Sequence, residues 1–120
     1  MGILERLKFY FLSQLQKHAR VGVMEKDEIV KEIVKVIRQY LPPDYKVLLF
    51  GSWAKGTALD VSDLDIGLDG PGKIDQEIMI KIKAGLEGIL TLRSIDLVDL
   101  NSAGGEFKKD ILKHAQILNP

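Results

Sequence analysis

The order of apolar and polar residues along the chain predicts helices that alternate with short strands. Apolar residues recur every three or four positions, as in amphipathic helices, in four stretches: residues 3–18, 27–40, 74–89 and 107–118. Short apolar runs beside turn-forming residues predict strands at residues 47–50, 63–68 and 93–100. We therefore expect an α/β (α+β) fold, a small mixed sheet of about three strands flanked by helices.

The first predicted helix carries an apolar stripe formed by Leu4, Leu7, Phe11 and Leu15. A helix with such a stripe needs an apolar surface to pack against. We expect this helix to dock either on the body of the protein or on another subunit, so a homo-oligomer is one expected outcome.

The second predicted strand places two carboxylates on one face. Side chains alternate along a strand, so Asp63 and Asp65 point the same way, with Cα atoms roughly 6.5 Å apart. Leu64 and Ile66 then point into the core. Two carboxylates on one face repel each other, which raises the pKa of at least one of them. Either a divalent cation offsets this repulsion, or both groups face solvent near the strand end.

Composition limits what kind of site this is. The chain has 17 basic and 17 acidic residues, so extended nucleic-acid binding by charge is not expected. It has no Cys and only two His, so a metal would be held by oxygen ligands, which suits Mg²⁺ or Mn²⁺. No run of about 18 apolar residues predicts a membrane span, and the interrupted N-terminus is not a secretory signal. We expect a cytoplasmic protein.

A glycine and a serine follow the first predicted strand. Gly51 permits close approach of the backbone to a ligand, and Ser52 would open a short helix whose N–H groups suit an anion. Taken alone, the pair reads as an ordinary turn. Together with Asp63 and Asp65 it indicates a nucleoside triphosphate chelated by magnesium. A Walker A loop is excluded because Thr57 stands in place of lysine. An EF-hand is excluded because Leu68 stands at its glycine position.

The combined pattern is Gly-Ser-x-Ala-x-Gly over residues 51–56, followed by Ser-Asp-x-Asp over residues 62–65. It resembles the DNA polymerase beta-like nucleotidyltransferase superfamily, and most of all its minimal, MNT-type branch. The likeness runs from about Met24 to Leu118. It implies a single domain over residues 1–120, with an N-terminal amphipathic helix and linker over 1–23 and a catalytic core over 24–118.

The resemblance also implies roles for individual residues. Gly51 and Ser52 would hold the phosphates of ATP or another nucleoside triphosphate, with Ser62 beside them. Lys55 stands where many relatives have arginine, so it keeps the charge but loses the bidentate geometry. The implied catalytic and metal-binding residues, which would hold two Mg²⁺ ions, are Asp63, Asp65 and Asp96. The implied reaction is transfer of a nucleoside monophosphate, AMP in the first instance, to an acceptor hydroxyl with release of pyrophosphate.

Relatives of this type are often encoded beside a small helical partner of the HEPN class, with which they form toxin–antitoxin pairs. The resemblance therefore implies a HEPN-type partner and an antitoxin role. The alternative is a binding module that caps a helical partner with little or no catalysis.

The third carboxylate has two candidates, Asp96 and Asp99, which point to opposite faces of a regular strand. Asp96 lies opposite Ile95 and Leu97, which would then enter the core. If Asp99 were the ligand, Ile95 and Leu97 would lie on the same strand face and would point toward the metals. We therefore predict that Asp96 is the ligand and that Asp99 is solvated near the following loop.

Overall fold

A computed structural model describes residues 2–8, 26–56, 58, 63–91 and 93–118 of the chain. The described part of the first helix, α1, is residues 3–8. The other helices are α2 (Lys26–Arg38), α3 (Ser52–Lys55), α4 (Gln76–Glu87) and α5 (Gly105–Leu112). The strands are β1 (Lys46–Phe50), β2 (Leu64–Asp69), β3 (Ile95–Asp99) and β4 (Gln116–Ile117).

The strands of the described residues form one mixed sheet in the order β3-β2-β1-β4. Strand β1 is antiparallel to β2 and β4, whereas β2 and β3 are parallel. A parallel pair needs a long crossover connection, and α4 supplies it between β2 and β3. The predicted small mixed sheet flanked by helices is confirmed. It has four described strands where about three were expected, because β4 is an additional strand.

The additional strand lies where the sequence predicted the end of the last helix. Helix α5 ends at Leu112, and the chain then pairs with the edge of β1 through Leu48 and Ile117. The backbone N–H of Leu118 donates to the carbonyl of Val47 at 2.8 Å. The helical spacing was misleading here because a two-residue strand is too short to show a period of two, and its position depends on a partner distant in sequence.

The sheet separates a large apolar core from the face that carries the acidic residues. Helices α2 and α4 cover the first face and enclose the fully buried residues of β1 and β2: Val47, Leu49, Leu64, Ile66 and Leu68. This burial confirms the predicted inward direction of the apolar residues of β2. On the opposite face, Ile111 of α5 packs with Leu48 and Leu100. Asp65 and Asp96 alternate with core-facing residues, so they lie on this second face.

Helix α1 exposes its apolar side chains. Leu4 is 78% exposed and Leu7 is 59% exposed. The Lys8 Nζ atom donates to the carbonyl of Glu87 at 3.2 Å, which links α1 to the end of α4. The described part of the apolar stripe is therefore not buried against the body of the protein, and docking on another subunit stays a prediction. Phe11 and Leu15 lie outside the described residues.

Among the described helices, none is long and apolar enough to cross a lipid bilayer.

Candidate active site

Strand β1 ends at a glycine whose conformation and surroundings both exclude a side chain. Gly51 has a φ angle of +73°, in the left-handed region that residues with a Cβ atom rarely adopt. A Cβ atom on Gly51 would also overlap with Oδ2 of Asp65. The sequence predicted a close approach of this backbone to a ligand; the structure shows a close approach to the carboxylate of Asp65.

Two of the predicted catalytic aspartates lie side by side. Asp65 and Asp96 are register partners on the parallel strands β2 and β3, so their side chains emerge on the same face of the sheet. Phe50 is the register partner of Asp65 on β1, so Gly51, the next residue, lies one position further along β1 than the level of Asp65. Asp63 precedes β2 by one residue and is exposed. The structure thus brings Gly51, Asp65 and Asp96 into one row across three strands.

The electrostatics of this row disfavour the ionised form of Asp65. Burial raises the pKa of Asp65, and the charges of Asp96 and Asp63 raise it further. A hydrogen bond between the side chains of Asp65 and Asp96 acts in the same direction. Without a compensating positive charge, the carboxylates therefore cost the folded protein stability at neutral pH.

This group of carboxylates fits a divalent cation by its chemistry. Mg²⁺ and Mn²⁺ prefer oxygen ligands, and their charge would relieve the repulsion that raises the pKa of Asp65. Over the described ranges, however, no three acidic or histidine side chains already converge as a ligand cluster. Asp65 and Asp96 are adjacent, whereas Asp63 acts on Asp65 through its charge.

Two cations that the sequence did not single out lie beside α3. The Nζ atom of Lys26 is 5.5 Å from the ring centroid of Trp53, and the Cζ atom of Arg93 is 5.2 Å from it. Both distances are typical of cation–π contacts. Trp53 belongs to α3, which follows Gly51 directly, so these contacts bring positive charge to the helix predicted to bind phosphates. No motif marks Lys26 and Arg93, because they lie in elements far apart in sequence.

The other predicted nucleotide-binding residues surround the same turn. Ser52 begins α3, as the sequence predicted, and Lys55 ends it with an exposed side chain. Contacts of Ser52 and Lys55 with nucleotide phosphates stay predictions. Ser62 lies outside the described residues.

Asp99 is not solvated, and the prediction of its environment was wrong. It is only 7% exposed. Its carboxylate accepts hydrogen bonds from the backbone N–H groups of Ile74 (2.9 Å) and Asn101 (3.0 Å), and from the Ser102 hydroxyl (2.9 Å). Asp99 therefore fixes the start of α4 and the loop after β3. The loop residues turn back over the strand end and bury the carboxylate, which could not be foreseen from their polar composition.

Replacing Asp65 with asparagine should stabilise the metal-free protein at pH 7. The folded-state pKa of Asp65 is raised, so its unfavourable contribution is absent at low pH and develops as pH rises through that pKa. Like charges on neighbouring strands cost up to about 1 kcal/mol. Thermal unfolding should therefore show a melting temperature a few degrees higher for Asp65→Asn at pH 7, and a smaller difference near pH 4. Equal melting temperatures at both pH values would contradict the repulsion; added Mg²⁺ should reduce the difference at pH 7.

The fold is that of a nucleotidyltransferase. The chain belongs to the family described as "Polymerase beta, Nucleotidyltransferase", whose model matches residues 31–119. Within that family it is of the minimal, MNT type.

Individual relatives agree with this assignment. The chain is 38% identical over 82 residues to "Probable protein adenylyltransferase MntA" of Haemophilus influenzae, covering 68% of this chain and 71% of that protein. It is 33% identical over 76 residues to "Protein adenylyltransferase MntA" of Shewanella oneidensis, covering 60% of this chain and about half, 51%, of that protein. A crystal structure of a toxin–antitoxin with AMP-PNP superposes with a TM-score of 0.56 at 27% identity, covering 75% of this chain and 72% of the other.

Proposed function

We propose that this protein transfers AMP from ATP to a hydroxyl group of a partner protein, with release of pyrophosphate, and that it acts as the antitoxin of a HEPN-type toxin. In this proposal residues 1–120 form one domain and residues 24–118 form its catalytic core. The observation that carries the proposal is the row formed by Gly51, Asp65 and Asp96 across three adjacent strands.

The order of the row supports a separate side of the sheet for each reactant. The predicted phosphate-binding turn follows β1, Asp65 lies on the central strand β2, and Asp96 lies on the edge strand β3. ATP would therefore bind over the end of β1, and the acceptor hydroxyl would approach from the β3 side. The oxygen of that hydroxyl forms a bond to the α-phosphorus of ATP, and the bond from this phosphorus to the β-phosphate oxygen breaks. Pyrophosphate leaves with the electron pair, and the hydroxyl proton passes to a base or to water.

The residues of the chain would bind and orient these groups. Gly51 and Ser52 would hold the β- and γ-phosphates. Lys55 at the end of α3, and Lys26 and Arg93 against the ring of Trp53, would add positive charge near this turn. The acidic residues that would hold two Mg²⁺ ions are Asp63, Asp65 and Asp96. Bound Mg²⁺ supplies positive charge that lowers the pKa of the acceptor hydroxyl and stabilises the leaving pyrophosphate.

The proposed AMP transfer and antitoxin role rest on the relatives, whereas the HEPN class of the partner rests on the resemblance to the MNT-type branch. Two curated relatives carry the name protein adenylyltransferase MntA, and a structural neighbour is a toxin–antitoxin with AMP-PNP. The exposed apolar residues Ile3, Leu4 and Leu7 of α1 offer a surface for a helical partner. This surface also supports the alternative function, a binding module that caps its partner without turnover.

Radiolabel transfer distinguishes AMP transfer from a binding module without catalysis. The purified protein is incubated in lysate with Mg²⁺ and ATP labelled at either the α- or the γ-phosphate, and Asp65→Asn serves as the control. We expect a protein band that carries the α-label only, and that disappears with Asp65→Asn. A band that carries the γ-label and also disappears with Asp65→Asn would indicate a kinase and would contradict the proposal. A stable complex with a partner but no label would favour the binding module.

Calorimetry tests the nucleotide site independently of any acceptor. We expect ATP to bind in Mg²⁺ and to bind at least tenfold more weakly when Mg²⁺ is removed or Asp65 is replaced with asparagine. Equal affinity in all three titrations would show that the carboxylates do not hold a metal–nucleotide complex.

A further inference from the structure

Within the described residues, the outer edge of β3 carries backbone groups that no neighbouring strand binds, immediately beside the site. Strand β3 is the end of the sheet and pairs only with β2 among the described strands. The Leu64 N–H donates to the Ser94 carbonyl at 2.8 Å, and the Leu100 N–H donates to the Leu68 carbonyl at 2.9 Å. The backbone N–H and C=O groups of Asp96 and Val98, which lie at even positions between Ser94 and Leu100, therefore face β2 as well.

Ile95 and Leu97 turn their backbone groups away from β2, because the N–H and C=O groups of alternate strand residues point to alternate sides of the strand. Over the described part of the chain, the N–H and C=O groups of Ile95 and Leu97 take part in no backbone hydrogen bond. The two residues flank Asp96, whose own backbone groups face β2. One donor and one acceptor thus lie on each side of Asp96, the carboxylate that the proposed reaction places nearest the acceptor.

A cleft runs along this edge. It has a volume of about 1490 Å³ and lies between α1, the end of α4 and the outer side of β3. Asp96 lines one side of it, and Ile3, Leu4 and Leu7 line the other. The cleft is therefore continuous with the row of catalytic residues, and its far wall is apolar.

We propose that this edge binds an extended segment of the acceptor protein as an additional antiparallel strand, and that the residue facing Asp96 carries the hydroxyl that receives AMP. This inference rests on the proposed function. In an antiparallel pair, Ile95 and Leu97 would each exchange two hydrogen bonds with the segment, and the residue opposite Asp96 would form the closer, non-hydrogen-bonded pair. Its side chain would emerge on the same face as Asp96, with Cβ atoms about 5 Å apart.

The same geometry specifies the neighbours of the acceptor residue. The residues directly before and after it would point to the opposite face, the side of Ile95 and Leu97. That side faces α4 and the apolar residues of α1, which are 59% to 78% exposed. The preferred sequence is therefore a hydroxyl residue between two apolar residues. Added strands of this kind gain affinity from backbone hydrogen bonds and specificity from alternate side chains.

Peptides test this pairing directly. The probes are nonapeptides with a central tyrosine, serine or threonine flanked by valines, incubated with the protein, Mg²⁺ and α-labelled ATP. N-methylation of the two flanking residues removes the N–H groups that would donate to the Ile95 and Leu97 carbonyls. We expect it to lower AMP transfer at least tenfold. N-methylation two residues away from the centre, where the N–H groups point away from β3, is the matched control and should change transfer less than twofold.

A variant of the protein tests the other side of the pair. Ile95→Pro removes an outward N–H group without breaking a hydrogen bond of the sheet, and edge strands tolerate proline at such positions. Ile95→Ala removes the side chain and keeps the N–H group. We expect Ile95→Pro to lower transfer to the peptide at least fivefold relative to Ile95→Ala, with equal binding of ATP in Mg²⁺.

Several results would overturn the inference. Equal labelling of the two methylated peptides would show that the edge does not pair. Labelling of lysate proteins but of no peptide would show that the acceptor is not taken as an extended segment. A dimer by light scattering, with the Ile95 and Leu97 amides protected from exchange, would assign the edge to a second copy. If the protein neither binds ATP nor labels any protein, the proposed function fails, and this inference falls with it.

Discussion

Replacing Asp96 with asparagine is expected to lower the rate of AMP transfer roughly a hundredfold to a thousandfold, which corresponds to about 3 to 4 kcal/mol of lost transition-state stabilisation. Asp96 is the register partner of Asp65 and lies on the strand from which the acceptor would approach. Asparagine keeps the shape of the side chain but removes the charge that would hold a divalent cation. Single-turnover transfer with saturating ATP and Mg²⁺ measures this loss without interference from product release.

Asp99→Asn is the matched control, on the same strand but on the opposite face. We expect transfer close to that of the unmodified protein, measured well below its unfolding temperature. We expect a loss of stability instead. Asn would keep one acceptor oxygen, whereas the buried carboxylate accepts bonds from Ile74, Asn101 and Ser102. At least one buried donor would lose its partner, which costs about 1 to 3 kcal/mol. A larger catalytic defect in Asp99→Asn than in Asp96→Asn would show that the two roles are reversed.

Replacing Gly51 with alanine is expected to abolish most Mg²⁺-dependent ATP binding. Gly51 combines a φ angle of +73° with a ψ angle of −150°, and such a strained conformation costs a non-glycine residue about 1 to 3 kcal/mol. The added Cβ atom would in addition overlap with Oδ2 of Asp65, so either the carboxylate or the turn before α3 must move. Either displacement separates the predicted phosphate-binding turn from the carboxylates. Calorimetry should show at least a tenfold loss of affinity for ATP in Mg²⁺.

Gly56 supplies the control for backbone strain alone. It ends α3 with a φ angle of +76°, but nothing lies within 4 Å of the position that a Cβ atom would occupy. Gly56→Ala should therefore retain ATP binding and should lose less stability than Gly51→Ala, because Gly56 lies in the αL region (ψ 15°), whereas Gly51 has ψ −150°, a conformation essentially restricted to glycine. Equal loss of ATP binding in both variants would mean that strain, and not contact with Asp65, explains the effect at Gly51.

Much of the fold was predictable from sequence because its signals are local. The apolar alternation of β2 fixes which face of the strand is buried, and the burial of Leu64, Ile66 and Leu68 follows from it. The glycine and serine after β1 predicted a turn into a short helix at Ser52. Strand β4 could not be predicted in this way, because its two residues are placed by pairing with Leu48 and Leu49 of β1.

For the site, the sequence by itself determined which residue types were available, and it predicted that Asp63 and Asp65 share a face. It also placed Asp96 and Asp99 on opposite faces of one strand, because side chains alternate along any strand. Only the tertiary structure decided that Asp65 and Asp96 are register partners, that Gly51 lies against Asp65, and that Asp99 is buried. These relations depend on strand order and loop packing, which join residues distant along the chain, whereas the signals readable in sequence come from neighbours within a few residues.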